Sequence, residues 1–326
     1  MNPLNFLQDK INKELYSLCG EINSEPGGLY EPVSYTLSLG GKRMRPVLLL
    51  MACELFCGKT EEAISSALAI ELFHNFTLIH DDIMDNAPLR RNKPTVHRKW
   101  NNNTAILSGD VMLVKAYQYL AGCESSKLPQ VLALFNSAAV KVCEGQQLDM
   151  DFEKRNNITV SDYLGMIEKK TASLLAAGLQ IGAIIGNASD TDARLLYDFG
   201  LNTGMAFQIQ DDILDIYAGS KKFGKEPGGD IVSGKTTLLL LSAYQLAKGA
   251  MLNELRNAMS SDNVEPLQKV KTVRRIYDHL KVKEIAEEKM RYYHNLALKN
   301  LSDVNIDEDK KSQLKSFTQG LMVRKI

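Results

Sequence analysis

Apolar side chains recur along most of the chain every three or four residues, which is the spacing of one face of an α-helix. The alternation with a period of two that indicates β-strands does not occur. Clusters of Gly, Pro, Asn and Ser interrupt the helical pattern. The pattern therefore predicts helices near 3–20, 43–57, 61–86, 101–122, 128–153, 159–186, 190–217, 235–257, 267–300 and 307–323.

No linker between these helices is long or low in complexity, so we expect one all-α domain over residues 1–326. Residues 173–186 are rich in Ala and Gly, a composition that lets a neighbouring group approach the backbone closely. That neighbour is either another helix or an apolar ligand, and the sequence leaves both open.

The composition is that of a globular protein, with 44% hydrophobic and 24% charged residues. Lys plus Arg and Asp plus Glu are equal at 39 each, so no overall field attracts nucleic acid, and we expect no such partner. The longest weakly polar stretch, 173–186, is shorter than the roughly 20 residues that a membrane span needs. We therefore expect no transmembrane segment.

The cysteines form no C-x-x-C pair and lie mostly in apolar helical stretches. This pattern predicts buried thiols in a reducing cytoplasm, and an odd number argues against a disulfide framework. The five residues are Cys19, Cys53, Cys57, Cys123 and Cys143.

Two segments carry the pattern Asp-Asp-x-x-Asp within apolar surroundings. In the first, Asp81 and Asp85 are four residues apart and share a helix face. Asp211 and Asp215 repeat the arrangement. Like charges at this spacing destabilise a helix, which favours a bound cation. Ligand sets made only of oxygen suit Mg²⁺, which binds one or two carboxylates together with substrate phosphates.

Cationic residues cluster at two places that could hold such phosphates. Arg90 and Arg91 follow the first aspartate motif, and the planar guanidinium group matches phosphate oxygens. The turn 40–46 carries Lys42 and Arg45 where a helix begins, a position that favours an anion. Because one diphosphate hardly needs both clusters, we expect a second anionic ligand.

Three further polar segments need an explanation. Residues 219–237 form a loop rich in Gly and Lys that could close over phosphates and exclude water. Residues 145–149 and 169–171 place polar side chains inside otherwise apolar helices, where they require partners. Lys170 could bind a phosphate or could simply pair with Asp149.

Two other patterns match the residue types of known motifs but lack the structural context that those motifs need. Residues 229–236 fit G-x-x-x-x-G-K-[ST], but a P-loop follows a buried strand, and the sequence shows no strand pattern. Asn257, Ser261 and Glu265 have the spacing of a cyclase metal motif, but Pro266 and the polar residues before it break the helix that this motif needs. We reject both.

Taken together, the segments GGKRMRP, HDDIMD followed by RR, GQQLD, KT and FQIQDDILD resemble the trans-isoprenyl diphosphate synthases of the polyprenyl synthetase family. The resemblance implies the isoprenoid synthase fold, a bundle of about ten or more helices around a central prenyl-binding cavity. It also implies a homodimer, and about three Mg²⁺ ions per active site.

The resemblance assigns roles to residues of every segment. Metal binding would fall to Asp81, Asp82, Asp85, Asp149, Asp211, Asp212 and Asp215. Binding of the allylic diphosphate would fall to Arg90, Lys170, Thr171, Gln208, Lys225 and Lys235, of which all but Arg90 would also be catalytic. Isopentenyl diphosphate would be bound by Gly41, Lys42, Arg45, His74 and Arg91.

The implied activity is a Mg²⁺-dependent head-to-tail condensation of isopentenyl diphosphate with an allylic diphosphate, catalysed by a prenyltransferase. Product length is predicted from Phe73, Phe76 and Thr77. Phe76 precedes Asp81 by five residues, about 7.5 Å along a helix, so its ring could stop a growing chain early. Similar patterns in the family accompany geranylgeranyl products, although Phe76 could equally be ordinary core packing.

The alternatives are a farnesyl or longer-chain synthase, a terpene cyclase, a nucleotide-binding module, and a regulatory subunit of a heteromeric synthase. The first motif lacks the two-residue insertion of many bacterial farnesyl synthases, which argues against a farnesyl product. Position 74 is His where some family members carry Gln. Regulatory subunits usually lose the aspartates, and here both motifs are intact.

Overall fold

The computed structural model describes residues 3–21, 25–57, 59–155, 157–218, 228–260 and 265–322, and it is almost entirely helical. The helices of the first part are α1 (Pro3–Glu21), α2 (Gly27–Ser38), α3 (Met44–Cys57), α4 (Ile64–Met84), α5 (Val96–Lys99), α6 (Asn102–Leu120) and α7 (Leu128–Phe152). Those that follow are α8 (Val160–Ile167), α9 (Ser173–Ile185), α10 (Asp190–Tyr217), α11 (Gly229–Val232), α12 (Leu238–Leu246), α13 (Gly249–Ser260), α14 (Pro266–Leu280), α15 (Val282–Asp303) and α16 (Glu308–Met322). The all-α prediction is confirmed.

A small hairpin departs from the expectation that the chain has no strands. Within the described ranges the strands are β1 (Leu89–Arg90) and β2 (Lys93–Pro94), which pair antiparallel. Two-residue strands are too short to show a period of two. The turn residues Arg91 and Asn92 have φ of +52° and +60°, the left-handed pair that suits a two-residue hairpin.

The helix boundaries also differ from the predicted ranges. Helix α2 was missed because Pro26 and two glycines suggested a break. The predicted helix 235–257 is two helices, since Ala247 adopts an extended conformation after α12. The predicted helix 267–300 is divided at Lys281, which is left-handed with φ of +55°. The predicted helix 159–186 contains a π-helical segment, Glu168–Ala172, between α8 and α9.

The chain divides into two compact units, each built from several segments. The first unit comprises residues 1–137, 174–197 and 302–314. Helix α3 is largely buried in this unit and includes three consecutive leucines with no solvent exposure, at 48–50. Helix α4 is almost as apolar, and the polar residues of the first aspartate motif occupy its C-terminal end.

Helix α9 packs closely against α3 in this first unit. A Cβ atom at Gly182 would collide with the carbonyl oxygen of Leu49, and one at Gly186 would lie 2.7 Å from that of Cys53. The close neighbour of the Ala- and Gly-rich stretch is therefore a helix at these two positions.

The second unit comprises residues 138–173, 198–301 and 315–326. Its apolar core includes Tyr163 and Ile209, together with the leucines at 238–241 of α12. Helix α8 begins with a capping box, in which Thr159 and Asp162 exchange hydrogen bonds with each other's backbone N–H groups. This cap sets the start of the helix that leads into the π-helical segment.

None of the described helices has the length and apolarity that crossing a membrane requires. The prediction of buried thiols is right for Cys53 and Cys123 only. Cys19 is half-buried and Cys143 is exposed, and the side chain of Cys57 lies outside the described residues.

Candidate functional site

The first aspartate motif lies at the C-terminal end of α4, and its three carboxylates have different surroundings. Asp82 is 5% exposed and accepts hydrogen bonds from Arg90 Nε at 2.9 Å and Nη2 at 2.6 Å. Burial raises the pKa of Asp82, and the Arg90 guanidinium opposes this shift. Asp81 is half-buried, 3.6 Å from Arg90 Nη2, and Asp85 is exposed. The motif therefore has a buried central carboxylate and more accessible outer ones.

The β1–β2 hairpin brings both arginines back to this region. Thr95 closes the loop by donating a 2.7 Å hydrogen bond from Oγ1 to the carbonyl oxygen of Ala87. Arg90 then turns to Asp82, whereas the exposed Arg91 lies over Gly41, where a Cβ atom would be 2.5 Å from Nη2. The hairpin thus connects the aspartate motif with the glycine-rich turn 40–43.

The turn 40–43 requires unusual backbone angles at three positions. Gly40 and Gly41 have φ of +78° and +136°, where side chains are strained, and Arg43 has φ of +47°. This conformation leaves Lys42 exposed while Arg43 points inward and is 4% exposed.

Arg43 is a functional candidate that the sequence analysis did not single out. Its guanidinium contacts Glu71 Oε1 at 2.6 Å, the Leu37 carbonyl at 2.6 Å and Asn12 Oδ1 at 3.2 Å. Asn75 Nδ2 donates to the same Glu71 oxygen at 3.1 Å. The only available signal was its place between Lys42 and Arg45, which does not reveal a buried partner. The network holds the turn to α4.

Arg45 and His74 lie together on α3 and α4. Arg45 Nη1 is 3.2 Å from His74 Nε2. Burial first, and then the positive charges of Arg45, Arg91 and other arginines, lower the pKa of His74 well below its usual value. His74 is therefore neutral at physiological pH, and its Nε2 accepts a hydrogen bond from the guanidinium. Beside the loop lies a narrow crevice whose lining includes Asn75, Asp82, Arg90 and Arg91.

The predicted chain-length residues lie on α4 one to two turns before the aspartates. Phe73 is 1% exposed and packs edge-on against Phe135, with 5.3 Å between ring centroids. Phe76 is half-buried, 5.5 Å from Phe73 and 4.7 Å from the ring of His80. Thr77 donates its hydroxyl to the His74 carbonyl at 2.7 Å. Phe73 thus belongs to the core, and Phe76 keeps part of its ring accessible.

The second aspartate motif, on α10, repeats the same division. Asp212 is 4% exposed and accepts hydrogen bonds from the Tyr163 hydroxyl and, at 2.9 Å, from Gln208 Nε2. Burial, reinforced by the charge of Asp230, raises the pKa of Asp212 well above its usual value. Asp211 is exposed. Tyr163 was missed because a tyrosine in an apolar helix carries no signal of its own.

Asp215, the last residue of this motif, is half-buried and contacts the chain beyond it. Its Oδ2 accepts a 2.9 Å hydrogen bond from the N–H of Asp230, and its carbonyl accepts one at 2.7 Å from the N–H of Gly228. These contacts anchor the segment that leads to Lys235, which is half-buried. Lys225 lies outside the described residues, as do residues 219–227 of the predicted lid 219–237.

The residues of the two rejected motifs, the P-loop and cyclase patterns, include a short helix and a helix cap. Residues 229–232 of the P-loop pattern form a single helical turn, and the described ranges contain no strand besides the β1–β2 hairpin. Glu265 caps α14 by accepting hydrogen bonds from two backbone N–H groups, so it precedes a new helix and is not itself within one. Ser261 of the cyclase pattern lies outside the described residues.

The polar residues of the second unit bind one another. Lys170 Nζ is 2.6 Å from Asp149 Oδ2, so the ion pair considered as an alternative is formed. Thr171 Oγ1 donates to Gln208 Oε1 at 3.0 Å. Because Gln208 also contacts Asp212, these side chains form one hydrogen-bonded group.

The oxygen-only donor sets of both motifs fit a divalent ion such as Mg²⁺. Among the described residues no three His, Cys, Asp or Glu side chains converge into a self-sufficient cluster. An ion held here would therefore take its other ligands from water or substrate phosphate, as Mg²⁺ commonly does. Asp82, Asp149 and Asp212 are each held by a protein side chain. The metal roles of all the aspartates named above stay predictions.

Comparison with known proteins supports the resemblance. Residues 27–279 match the polyprenyl synthetase family model. The chain is 42% identical over 232 residues, 71% of each chain, to a geranylgeranyl diphosphate synthase of Methanosarcina mazei. It is 34% identical over 309 residues, 92% of this chain and 91% of the relative, to one of Saccharolobus solfataricus.

A solved structure agrees with these relatives. A crystal structure of geranylgeranyl pyrophosphate synthase superposes with a TM-score of 0.94 at 41% identity and covers 100% of both chains. The fold is therefore the isoprenoid synthase fold. On the matched family model and these relatives, the chain belongs to the polyprenyl synthetase family of trans-isoprenyl diphosphate synthases.

Proposed function

We propose that this chain is a prenyltransferase that condenses isopentenyl diphosphate with an allylic diphosphate and releases geranylgeranyl diphosphate. The observation that carries the proposal is the division within both aspartate motifs. In each motif the central carboxylate is buried by protein partners, while the first remains more accessible on the helix surface. Relatives named geranylgeranyl diphosphate synthases support the choice of product.

Mg²⁺ is the proposed cofactor, with about three ions per active site. Asp81 and Asp85 would hold it in the first motif, and Asp211 and Asp215 in the second. When bound, Mg²⁺ neutralises charge on the diphosphate that leaves the allylic carbon. Asp82 holds Arg90 in place, and Arg90 in turn adds positive charge beside Asp81.

Isopentenyl diphosphate would be bound by the cations around the turn 40–43. Lys42 and Arg91 are exposed there, and Arg91 lies against Gly41. Arg45 is oriented by neutral His74, which accepts its hydrogen bond without adding or removing charge. This arrangement gives the ligand a concentrated positive field, because diphosphate is the anion that two guanidinium groups and an ammonium group match.

Lys170, Thr171 and Gln208 would bind the allylic diphosphate, together with Arg90, Lys225 and Lys235. Lys170 and Thr171 are half-buried and held by Asp149 and Gln208. Such held donors stabilise negative charge as the C–O bond breaks, since they need little reorganisation. The isopentenyl double bond then attacks the allylic cation, which forms the new C–C bond and leaves a tertiary cation. The released diphosphate takes a proton from the carbon next to that cation, and a new double bond forms.

A homodimer in the cytoplasm is also part of the proposal. Helix α6 exposes an apolar stripe at helical spacing, in which Leu107 is 59% exposed and Val114 56%. Tyr117 extends the stripe. Exposed apolar patches of this kind mark interaction surfaces. Sedimentation of the purified chain and of a Leu107→Glu variant tests this: a wild-type monomer would contradict it.

One assay tests the function. The purified chain is incubated with isopentenyl diphosphate, Mg²⁺ and each allylic diphosphate primer in turn, and the products are sized. We expect a twenty-carbon product, and no product after chelation of Mg²⁺. No turnover by the chain alone, with turnover restored by a second protein, would identify it as the regulatory subunit of a heteromer instead.

A further inference from the structure

The π-helical segment Glu168–Ala172 lies between α8 and α9 and carries Lys170 and Thr171. A π-turn is closed by a hydrogen bond between residues i and i+5, so it contains one residue more than the i to i+4 turn of an α-helix. Single π-turns occur frequently at functional sites. The extra residue changes which side chains share a helix face. Without it, Lys170 and Thr171 would be rotated away from their present partners.

Those partners define the register of the segment. Lys170 pairs with Asp149, and Thr171 with Gln208, which also contacts Asp212 of the second aspartate motif. A shift of the segment by a fraction of a residue would break both contacts at once. The position of this backbone therefore sets the position of two proposed ligand-binding side chains.

Two glycines on neighbouring helices make room for the segment. A Cβ atom at Gly145, on α7, would collide with the backbone nitrogen of Lys170 and lie 2.7 Å from its Cα. A Cβ atom at Gly204, on α10, would lie 2.6 Å from the Cα of Ala172. Both glycines are buried, and both face backbone atoms rather than the ends of flexible side chains.

A buried hydroxyl supports the same segment. Ser173 is 1% exposed and donates a 2.6 Å hydrogen bond from Oγ to the carbonyl oxygen of Lys169. Bonds of this kind from Ser to the carbonyl four residues earlier are associated with bent helices. Here the hydroxyl satisfies a carbonyl oxygen within the widened turn.

We propose that Gly145 and Gly204 are positioning residues that hold the π-helical segment in register, so that Lys170 and Thr171 meet the allylic diphosphate. This inference rests on the proposed function, which assigns those two side chains to that substrate. The glycines contact backbone and not substrate. Substitution of these glycines is therefore expected to weaken binding of the allylic diphosphate and not of isopentenyl diphosphate.

Gly145→Ala and Gly204→Ala test the proposal, with Gly165→Ala as the matched control. Gly165 lies on α8, three residues before the segment, and an added Cβ atom there meets nothing within 4 Å. Displacing a substrate-positioning group by about an ångström can weaken its contribution by up to roughly a hundredfold. We expect each of the two variants to raise the KM for the allylic diphosphate by about tenfold to a hundredfold.

The KM for isopentenyl diphosphate should stay within about twofold of wild type in both variants, and the control should change neither constant. A purely structural defect would instead reduce the active fraction, lowering kcat and leaving both KM values alone. Circular dichroism and melting temperature establish that the variants are folded. A third variant, Ser173→Ala, removes one oxygen atom and should raise the allylic KM about threefold.

The proposal is overturned if the folded glycine variants keep a wild-type allylic KM, or if the KM for isopentenyl diphosphate rises instead. Should neither glycine variant fold, an unchanged allylic KM in Ser173→Ala overturns it. Failure of the proposed function would look different, because wild-type protein would then give no prenyl product at all.

Discussion

Truncation of Phe76 should lengthen the product. The ring lies about 7.5 Å before Asp81 along α4 and is half-buried, so part of it remains available to a growing chain. Phe73 lies three residues further along the helix, about 4.5 Å, and is fully buried against Phe135. Phe73 is therefore the next barrier once the Phe76 ring is removed.

The magnitude follows from this spacing. An opening of about 4.5 Å accommodates roughly one more isoprene unit, so Phe76→Ala should make a product about five carbons longer. The variant also loses ring contacts with Phe73 and His80. Aromatic pairs contribute about 0.5–1.5 kcal/mol each, so we expect a loss of about 1–3 kcal/mol in the free energy of unfolding.

The assay is product sizing with a fixed primer, alongside urea unfolding. Phe73→Ala is the control: it should cost about 3–5 kcal/mol, as truncation of a buried Phe does, without changing product length. An unchanged product distribution in folded Phe76→Ala would refute the reasoning and return Phe76 to ordinary packing. A longer product from Phe73→Ala alone would show that Phe73, and not Phe76, is the first barrier that the growing chain meets.

Three other predictions follow from the site. Asp81→Ala should abolish turnover while leaving the melting temperature near that of wild type; near-normal activity would contradict a metal role. Arg43→Met should cost about 3–5 kcal/mol of unfolding free energy, because it leaves the buried Glu71 carboxylate without its cationic partner. Adding Glu71→Gln should recover part of this loss in urea unfolding. His74 has a pKa below the value of about 6.5 that it has when unfolded, so the unfolded chain binds more protons and stability falls as pH drops below about 6.5. His74→Gln should flatten this slope between pH 7.5 and 5.5, and an unchanged difference in melting temperature would count against the assignment.

Much of this protein was predictable from local pattern. Helical periodicity identified the all-α class, since that signal needs only the three- to four-residue spacing of apolar side chains. The aspartate motifs were equally visible, because residues four apart share a helix face wherever the helix lies. The predicted helix boundaries were wrong where the backbone changes conformation, as at left-handed Lys281. The spacing of apolar residues does not indicate such a change.

The tertiary structure decided which of the chemically similar residues are accessible. Asp81 and Asp82 are neighbouring residues of the same type, and the sequence does not distinguish them. Asp82 is nevertheless the buried one, because the β1–β2 hairpin, which is too short to predict, brings Arg90 against it. Arg43 and Arg45 likewise differ only in three dimensions: the positive φ of Arg43 directs it to Glu71, and Arg45 meets His74.

The sequence by itself determined the fold class, the family and the positions of the acidic and cationic motifs, because each depends on residue type and local spacing. Only the tertiary structure decided the partners of these residues. Tyr163 donates a hydrogen bond to Asp212, and Gly145 and Gly204 make room for the π-helical segment. The physical reason is that burial, pairing and close backbone approach arise between segments distant in the chain, and a one-dimensional pattern contains no distances between them.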